Sequence, residues 1–279
     1  MRRACYCDAN ATSRLRPEAG AAIRACLSSA HMLGNPSSIH QPGRASRSLV
    51  RGARRAVSEL LDVSPDSAEI VFTSGGSEAV TAMICGLAGS RFAPGRGSIV
   101  TTAIEHDAVL ETLSRYAAAG WTVRSIQPNA DGFISPDDMC DAVAPDTRLV
   151  CVMGANNVLG TIQPVAEIAD SLRRSGYREA IVSDCVQLPG KSVRNVGELF
   201  RAGVNAASVS SHKLGGPAGV GALLLNRAAD CCRLFDPLIV GGPQESRLRA
   251  GTENLLGIVG FGAAAEAVQR AGSEAILRL

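Results

Sequence analysis

Seven short apolar runs alternate with helical patterns along the chain, and this alternation constrains the fold more than any other feature. The runs are rich in β-branched residues, as strands are, and they cover residues 69–74, 98–102, 121–127, 147–153, 179–185, 206–212 and 219–226. Between early runs, apolar residues recur at helical spacing over 49–61 and 109–117. Strands that are separated by helices must pair in parallel, which predicts a sheet covered on both faces.

The last two runs depart from this pattern. Only the six residues KLGGPA separate 206–212 from 219–226, too few for a crossover helix, so these two strands are expected to form an antiparallel hairpin. We therefore predict an α/β fold with three layers: a mostly parallel seven-stranded sheet with one antiparallel strand, between two layers of helices.

Charge and hydropathy exclude several classes of partner. With 28 basic and 26 acidic residues the formal charge is +2, and the arginines are scattered, so nucleic-acid binding has no electrostatic basis. No apolar run approaches membrane-spanning length, and polar residues interrupt what would be the apolar part of a signal peptide. We expect a cytoplasmic protein without a membrane partner.

The nine cysteines are odd in number and come with no secretory signal, which favours reduced thiols. Neither Cys5-x-Cys7 nor Cys231-Cys232 has the two-to-four-residue gap that is usual in zinc sites, so we expect no metal.

Polar residues follow four of the predicted strands, and each has two interpretations. The glycines of TSGGSEA, with Ser77, favour either an anion site at a helix start or an ordinary capped turn. His106 could cap a helix or stack on an aromatic ligand. The two asparagines of GANNVLG could form a turn or donate hydrogen bonds to a ligand. Asp184, at a buried strand end, needs an arginine or a protonated ring nitrogen as partner, and the Gln187 amide follows it.

Lys213 follows a serine-rich strand end and precedes a glycine-rich turn, in SVSSHKLGGPAGVGAL. An anion cradle, a stacking histidine, an asparagine, a carboxylate for a ring nitrogen and this lysine together describe a site for pyridoxal phosphate.

The sequence also resembles a known family. YCDANATSRLRPE, GNPSSIHQPGRASR, EIVFTSGGSEA, TTAIEHDAVL, NNVLGTIQP, SDCVQLPGK, SSHKLGGPAGVGAL and RAGTEN are similar, in order and spacing, to motifs of the cysteine desulfurases. These are aminotransferase class V members of the fold-type I pyridoxal-phosphate enzymes, and the resemblance covers essentially the whole chain. It implies that the sheet described above is the large domain of a fold-type I transferase.

The resemblance assigns roles to individual residues. Lys213 would bind the cofactor aldehyde and His106 would stack on the ring and assist proton transfer; these are the catalytic pair. Asp184 would hold the ring nitrogen protonated, Gln187 would bind the phenolic oxygen, and Asn157 would lie near that oxygen and the substrate carboxylate. The phosphate would be held by Gly76, Ser77, Ser210 and His212, and by Thr252 of the second protomer of a homodimer. The implied reaction converts L-cysteine to L-alanine and passes sulfur to an iron–sulfur scaffold or another acceptor.

By the same resemblance, residues 1–15 would belong to a small domain, 16–260 would form the cofactor-binding large domain, and 261–279 would begin a helix leading to an absent C-terminal part of the small domain. That absent part would carry the nucleophilic cysteine. Cys185 lies beside Asp184, but packing is its expected role.

Pro243 and Ser246 interrupt the family's glycine-arginine pattern, and Val80 and Thr81 stand where asparagine is common. Two alternatives therefore stay open: a lyase that releases sulfide from cysteine by β-elimination, and a non-catalytic partner of a full-length desulfurase.

Overall fold

The computed structural model describes residues 5–29, 32–89, 97–229 and 231–276. Its strands are β1 Ala68–Thr73, β2 Ser98–Thr102, β3 Thr122–Ile126, β4 Thr147–Cys151, β5 Ala180–Asp184, β6 Ala206–Ser210 and β7 Gly221–Asn226. Its α-helices are α1 Pro17–Ser28, α2 Gln41–Leu60, α3 Gly76–Leu87, α4 Asp107–Ala118, α5 Pro136–Ala142, α6 Val165–Arg174, α7 Val196–Arg201, α8 Cys231–Leu234 and α9 Leu255–Ile276. In this part of the chain, no helix combines the length and the apolar character that crossing a bilayer requires.

All seven strands form one sheet, in the order β1-β7-β6-β5-β4-β2-β3. The pairs among β2, β3, β4, β5 and β6 are parallel, whereas β7 runs antiparallel to both β1 and β6. The predicted fold is therefore confirmed, including the single antiparallel strand. Because β7 reverses direction between them, β1 and β6 point the same way, and the strands other than β7 end at one edge of the sheet.

Helices cover both faces, because strand side chains alternate between two cores. On β7, Ala222 and Leu224 face one apolar cluster, with α2, α6, α7 and α9, while Leu223 and Leu225 face the other, with α3 and α4. Side-chain caps define several helix starts: the α2 cap His40 accepts from Gly43 N, and the α7 cap Asn195 from Glu198 N.

The predicted boundary between residues 260 and 261 falls inside α9, which packs against α1 and α2. The division of the chain into 1–15, 16–260 and 261–279 stays a prediction, and 1–4 and 277–279 lie outside the described residues.

The segment before α1 docks on the loop after β6. Ser13 N donates to His212 O (2.9 Å), and Ser13 Oγ donates to Lys213 O (2.8 Å). Arg16 continues this pairing, with N donating to Gly215 O and Nε to Leu214 O, both at 2.8 Å. These contacts place residues 8–12 over the carboxyl end of β6.

The loop before α9 contains a left-handed turn, where Glu245, Ser246 and Arg247 have φ values of 45°, 57° and 66°. Such backbone is unfavourable for residues other than glycine. The buried Glu245 carboxylate accepts two hydrogen bonds from Arg54 (2.7 and 2.8 Å) and one from Phe72 N (2.7 Å), which hold the turn in place. The departure from the family pattern at Pro243 and Ser246 thus lies at a strained loop that a buried ion pair supports.

Gly221 allows β7 to pass close to the turn between β1 and α3. An added Cβ would lie 2.7 Å from both Gly75 C and Val209 O, and backbone atoms cannot move aside cheaply. We expect Gly221→Ala to lower the free energy of unfolding by about 1–3 kcal/mol, measured by urea denaturation.

Gly52→Ala is the matched control. An added Cβ at Gly52, within α2, has no atom within 4 Å, so this change should stabilise the fold by about 0.5–1 kcal/mol. A stabilising Gly221→Ala would contradict the close approach.

Candidate active site

The carboxyl ends of β1, β2, β4, β5 and β6 surround one cavity of about 170 Å³. This is where parallel α/β sheets usually bind ligands. Nine of the ten residues predicted to hold a cofactor line it: Gly76, Ser77, His106, Asn157, Asp184, Gln187, Ser210, His212 and Lys213.

Lys213 ends a 3₁₀ turn, Ser211–Lys213, that follows β6 directly. Its Nζ donates to Asn10 O (2.6 Å) and Ala11 O (2.9 Å), so the N-terminal segment supplies its acceptors. Partial burial lowers the pKa of Lys213 below its usual value, although the carboxylates of Asp184 and Asp8 oppose this shift. A lowered pKa increases the fraction of neutral amine, the form that attacks a carbonyl carbon.

Asp184 is buried at the end of β5 and lines the cavity. Its Oδ1 accepts hydrogen bonds from Ser208 Oγ (2.8 Å) and Val186 N (3.0 Å). Burial nevertheless raises its pKa, because these bonds and the nearby His106 and Lys213 do not fully offset the loss of water. The ionised carboxylate would be stabilised by a cationic N–H group in the cavity.

His106 caps α4, since its Nδ1 accepts from Ala108 N at 3.0 Å. The capping interpretation and the ligand interpretation are thus compatible, because the exposed ring also lines the cavity. With Nδ1 acting as acceptor, the neutral ring carries its proton on Nε2. His106 can therefore donate a hydrogen bond from Nε2 without breaking its cap.

Gly75 to Ser77 begin α3, and the first amide groups of a helix have no partner within the helix. An added Cβ at Gly76 would lie 3.0 Å from Val186 Cγ2 and 3.3 Å from Ser210 Cβ. The glycine therefore lets the helix start approach Ser210 closely. His212, on the same side, contacts Thr12 Oγ1 through Nδ1 at 3.0 Å. The backbone amides at the start of α3, the hydroxyl groups of Ser77 and Ser210, and the His212 imidazole could together bind an anion.

The two asparagines of GANNVLG have different roles. Asn156 forms the turn, with Oδ1 accepting from Val158 N (2.8 Å) and Leu159 N (2.7 Å). Asn157 lines the cavity, and its backbone carbonyl accepts from Asn10 Nδ2 at 3.2 Å.

Thr252 is the predicted site residue that the structure does not bring to the cavity. It is exposed beside Arg249 and Glu253, in a separate cavity next to the left-handed turn. Its predicted contact across a dimer interface stays a prediction.

Sequence reasoning missed three residues near the site. Asn10 contacts Lys213, Gln187 and Asn157, although nothing in the motif YCDANATSRLRPE distinguishes it from its neighbours. Lys191 donates to Gln187 Oε1, and its rarity could have revealed it, because the chain has only two lysines. Glu105 precedes His106 and is buried beside Asp184.

Glu105 follows β2, and only one of its two carboxyl oxygens accepts hydrogen bonds. Oε1 accepts from Thr102 Oγ1 and Met153 N, both at 2.8 Å, whereas the buried Oε2 has no hydrogen-bond partner. Burial raises the pKa of Glu105 to about 8, and the Asp184 charge adds to the shift. With a pKa of about 8, Glu105 is mostly protonated at neutral pH.

Among the residues that the structure describes, no cysteine lines the cavity. Cys185 is fully buried, with Sγ donating to Ser183 Oγ at 3.4 Å, and burial raises its pKa to about 12. This agrees with a packing role, because the thiolate is the nucleophilic form. Cys5 and Cys7 are exposed, with Sγ atoms 3.5 Å apart. Among the described residues, no group of three or more His, Cys, Asp or Glu side chains could hold a metal ion.

Comparisons with known proteins agree with this fold. A family model described as aminotransferase class-V matches residues 5–279, so the chain belongs to that family. It is 39% identical over 95% of its length to cysteine desulfurase IscS of Dictyoglomus turgidum. The chain spans about 64% of the length of the curated relatives it matches first.

Two solved structures are similar over nearly the whole of this chain. A NifS-like protein is 34% identical with a TM-score of 0.86, over 96% of this chain and 70% of that one. SspA in complex with cysteine is 31% identical with a TM-score of 0.85, over 99% of this chain and 78% of that one. The resemblance inferred from the motifs is therefore confirmed at the level of the family.

Members of this family are pyridoxal-phosphate-dependent enzymes, and the residues present fit that cofactor. The buried Asp184 would be stabilised by a protonated ring nitrogen, Gly76 leaves room for an anion between α3 and Ser210, and Lys213 offers an amine of lowered pKa. These are the three groups that a pyridine nitrogen, a phosphate and an aldehyde require.

Glu105 makes stability depend on pH in a defined direction. The folded state retains a proton up to about pH 8 that the unfolded chain releases above its ordinary pKa of 4.5, so the Glu105 contribution becomes less favourable as pH rises between these values. Relative to Glu105→Gln, the unfolding free energy of the wild type should fall by up to about 1.4 kcal/mol per pH unit from pH 5 to 8.

Urea denaturation at several pH values measures this difference. Glu111→Gln, at an exposed position of α4, serves as control and should show no such slope. A flat difference between wild type and Glu105→Gln would show that Glu105 is ionised in the folded protein.

Proposed function

We propose that this chain binds pyridoxal 5′-phosphate through Lys213 and acts on L-cysteine as a cysteine desulfurase, forming L-alanine and transferring sulfur. The observation that supports this most strongly is that Lys213, Asp184, His106 and the start of α3 line one cavity. The relatives named cysteine desulfurase and the neighbour in complex with cysteine indicate the substrate.

Each residue would have a distinct task. Lys213 Nζ would bind the aldehyde carbon, and Asp184 would pair with the ring nitrogen. Gly76, Ser77, Ser210 and His212 would hold the phosphate, and Gln187 and Asn157 would face the phenolic oxygen. The bound cofactor supplies an electron sink for charge that develops on the substrate. His106 would stack on the ring and assist proton transfer, as the resemblance implies.

The sulfur step needs a thiol acceptor. Transfer from cysteine to a thiolate leaves alanine and a persulfide, and a second thiol then releases sulfide and forms a disulfide. Cys185 is unsuitable because it is buried and its pKa is raised to about 12. The homodimer, the iron–sulfur scaffold or other sulfur acceptor, and the cytoplasmic location stay predictions from the sequence and the resemblance.

The direct test is covalent retention of the cofactor. After incubation with pyridoxal phosphate and borohydride reduction, mass spectrometry of peptides should place one adduct on Lys213, with an absorbance change on binding. Lys213→Ala should lose the adduct and bind with at least about tenfold lower affinity. Lys213→Arg, which keeps the charge but not the reactive amine, is the matched control and should also lose the adduct. An undiminished adduct in Lys213→Ala would contradict the assignment.

The products from L-cysteine then distinguish the reactions. With excess dithiothreitol as thiol acceptor, a desulfurase yields alanine, sulfide and oxidised dithiothreitol, whereas β-elimination consumes water and yields pyruvate, ammonia and sulfide. We expect alanine in excess of pyruvate; pyruvate alone would favour the lyase. Cofactor retention with neither product would favour the non-catalytic alternative.

A further inference from the structure

Lysine is rare in this chain. Of its 28 basic residues only Lys191 and Lys213 are lysines, and the structure brings both to the same site. Lys213 has a role in the proposed function, whereas Lys191 has none. Lys191 lies in the loop after β5, four residues beyond Gln187.

The Lys191 ammonium contacts three acceptors from two parts of the chain. Its Nζ donates to Gln187 Oε1 (2.5 Å), Asn10 Oδ1 (3.1 Å) and Ala9 O (3.5 Å). An ammonium has three protons to donate, so these contacts use its full capacity. The shortest of them is to a side chain that lines the cavity.

The contact with Lys191 decides which end of the Gln187 amide can donate. Oε1 is occupied by the ammonium, so Nε2 must be the end that reaches Asn10 O at 3.0 Å. Nε2 carries two hydrogens, and the second is available to a ligand in the cavity. With the amide reversed, Nε2 would face the ammonium, and two donors would oppose each other.

We propose that Lys191 is a positioning residue for this site: its hydrogen bond to Gln187 Oε1 holds the buried Gln187 side chain with its NH₂ group ready to bind an anionic oxygen of an aromatic ligand. For pyridoxal phosphate that oxygen is the phenolic one, so this part of the inference rests on the proposed function.

A purely structural role for Lys191 explains less. The N-terminal segment is already held by Ser13, Arg16, Lys213 and the hydrogen bonds of Asn10. It does not need Lys191 to stay in place. In contrast, two hydrogen bonds fix the orientation of the Gln187 side chain, and the one from Lys191 is the shorter.

A charged group of the site lies close enough to Lys191 to affect its pKa. Burial lowers the pKa of Lys191 to about 8, and the nearby Lys213 adds to the shift. His212 faces both lysines, while Asp184 and Asp8 face Lys213. Deprotonation of Lys191 near pH 8 would weaken its hydrogen bond to Gln187.

Two double-mutant cycles on cofactor affinity test the inference. Lys191→Met should weaken binding of pyridoxal phosphate about tenfold, the loss expected for a charged hydrogen bond. In a Gln187→Ala background the same change should cost less than about twofold, because its target is absent. In an Asn10→Ala background, Lys191→Met should still weaken binding of pyridoxal phosphate about tenfold. Arg55→Met, which removes an exposed charge on α2, is the control and should not change affinity.

The outcomes separate the two interpretations. An equal loss with and without Gln187, or a loss that disappears in Asn10→Ala, would assign Lys191 to the N-terminal segment and overturn the proposal. An unchanged affinity in Lys191→Met would overturn it as well. Urea midpoints of all variants verify that each one is folded at the temperature of the binding assay.

A measurement without cofactor keeps the inference separate from the proposed function. In protein labelled with ¹⁵N-glutamine, Gln187→Ala identifies the Gln187 side-chain NH₂ signal among six glutamines. This signal should shift with a midpoint near pH 8 in the wild type and lose that transition in Lys191→Met. If the wild type fails to retain pyridoxal phosphate, the proposed function fails, and this titration alone decides whether Lys191 orients Gln187.

Discussion

The hydrogen bond from Ser208 Oγ to Asp184 Oδ1 joins β6 to β5, and the site extends outward from it. The parallel register places Ser208, in the middle of β6, opposite Asp184, the last residue of β5. A buried carboxylate is costly unless it is hydrogen-bonded or paired, so Ser208 and Val186 N make Asp184 tolerable without neutralising it. The residual cost is what gives the cavity its preference for a cationic partner.

Several other groups of the site extend from the same two strands. β5 continues into Gln187 and Lys191, and β6 continues into Ser210, His212 and Lys213. The N-terminal segment then closes over both loops with backbone carbonyls, which accept from Lys213 and Gln187. Because these acceptors are backbone carbonyls, their positions depend on how Ser13 and Arg16 pack against the chain about 200 residues away. The side chains of Ala9 and Ala11 are methyl groups and cannot form hydrogen bonds.

Two carboxyl groups near the cavity have different hydrogen-bond partners. Glu105 is fully enclosed, with one oxygen lacking a partner, and its pKa rises to about 8. Burial also raises the pKa of Asp184, but hydrogen bonds from Ser208 and Val186 and the nearby His106 and Lys213 oppose that shift. Asp184 lines the cavity and could pair with one ring N–H group, whereas Glu105 does not line it.

Local pattern was sufficient to predict most of the fold. The run 98–102 coincides with β2, whose residues are all buried, because a short run of β-branched residues between turns is a local property of the sequence. The run 206–212 extends two residues too far, because Ser211 to Lys213 turn into a 3₁₀ segment that aims Lys213 at the cavity. Motif order and strand ends also identified nine residues that meet in one place. No periodicity could reveal Asn10, Glu105 or Lys191, whose importance rests on contacts formed after folding.

The sequence by itself determined the strand and helix order, the single antiparallel strand, and the chemical types of the groups at the strand ends, because hydrophobic period and loop length act over a few residues. Only the tertiary structure decided which acceptors meet Lys213, which end of the Gln187 amide donates, and which buried carboxyl oxygen is left without a hydrogen-bond partner. Those outcomes depend on burial and on hydrogen bonds between residues as far as 203 positions apart, and such distances are set by the path of the whole chain.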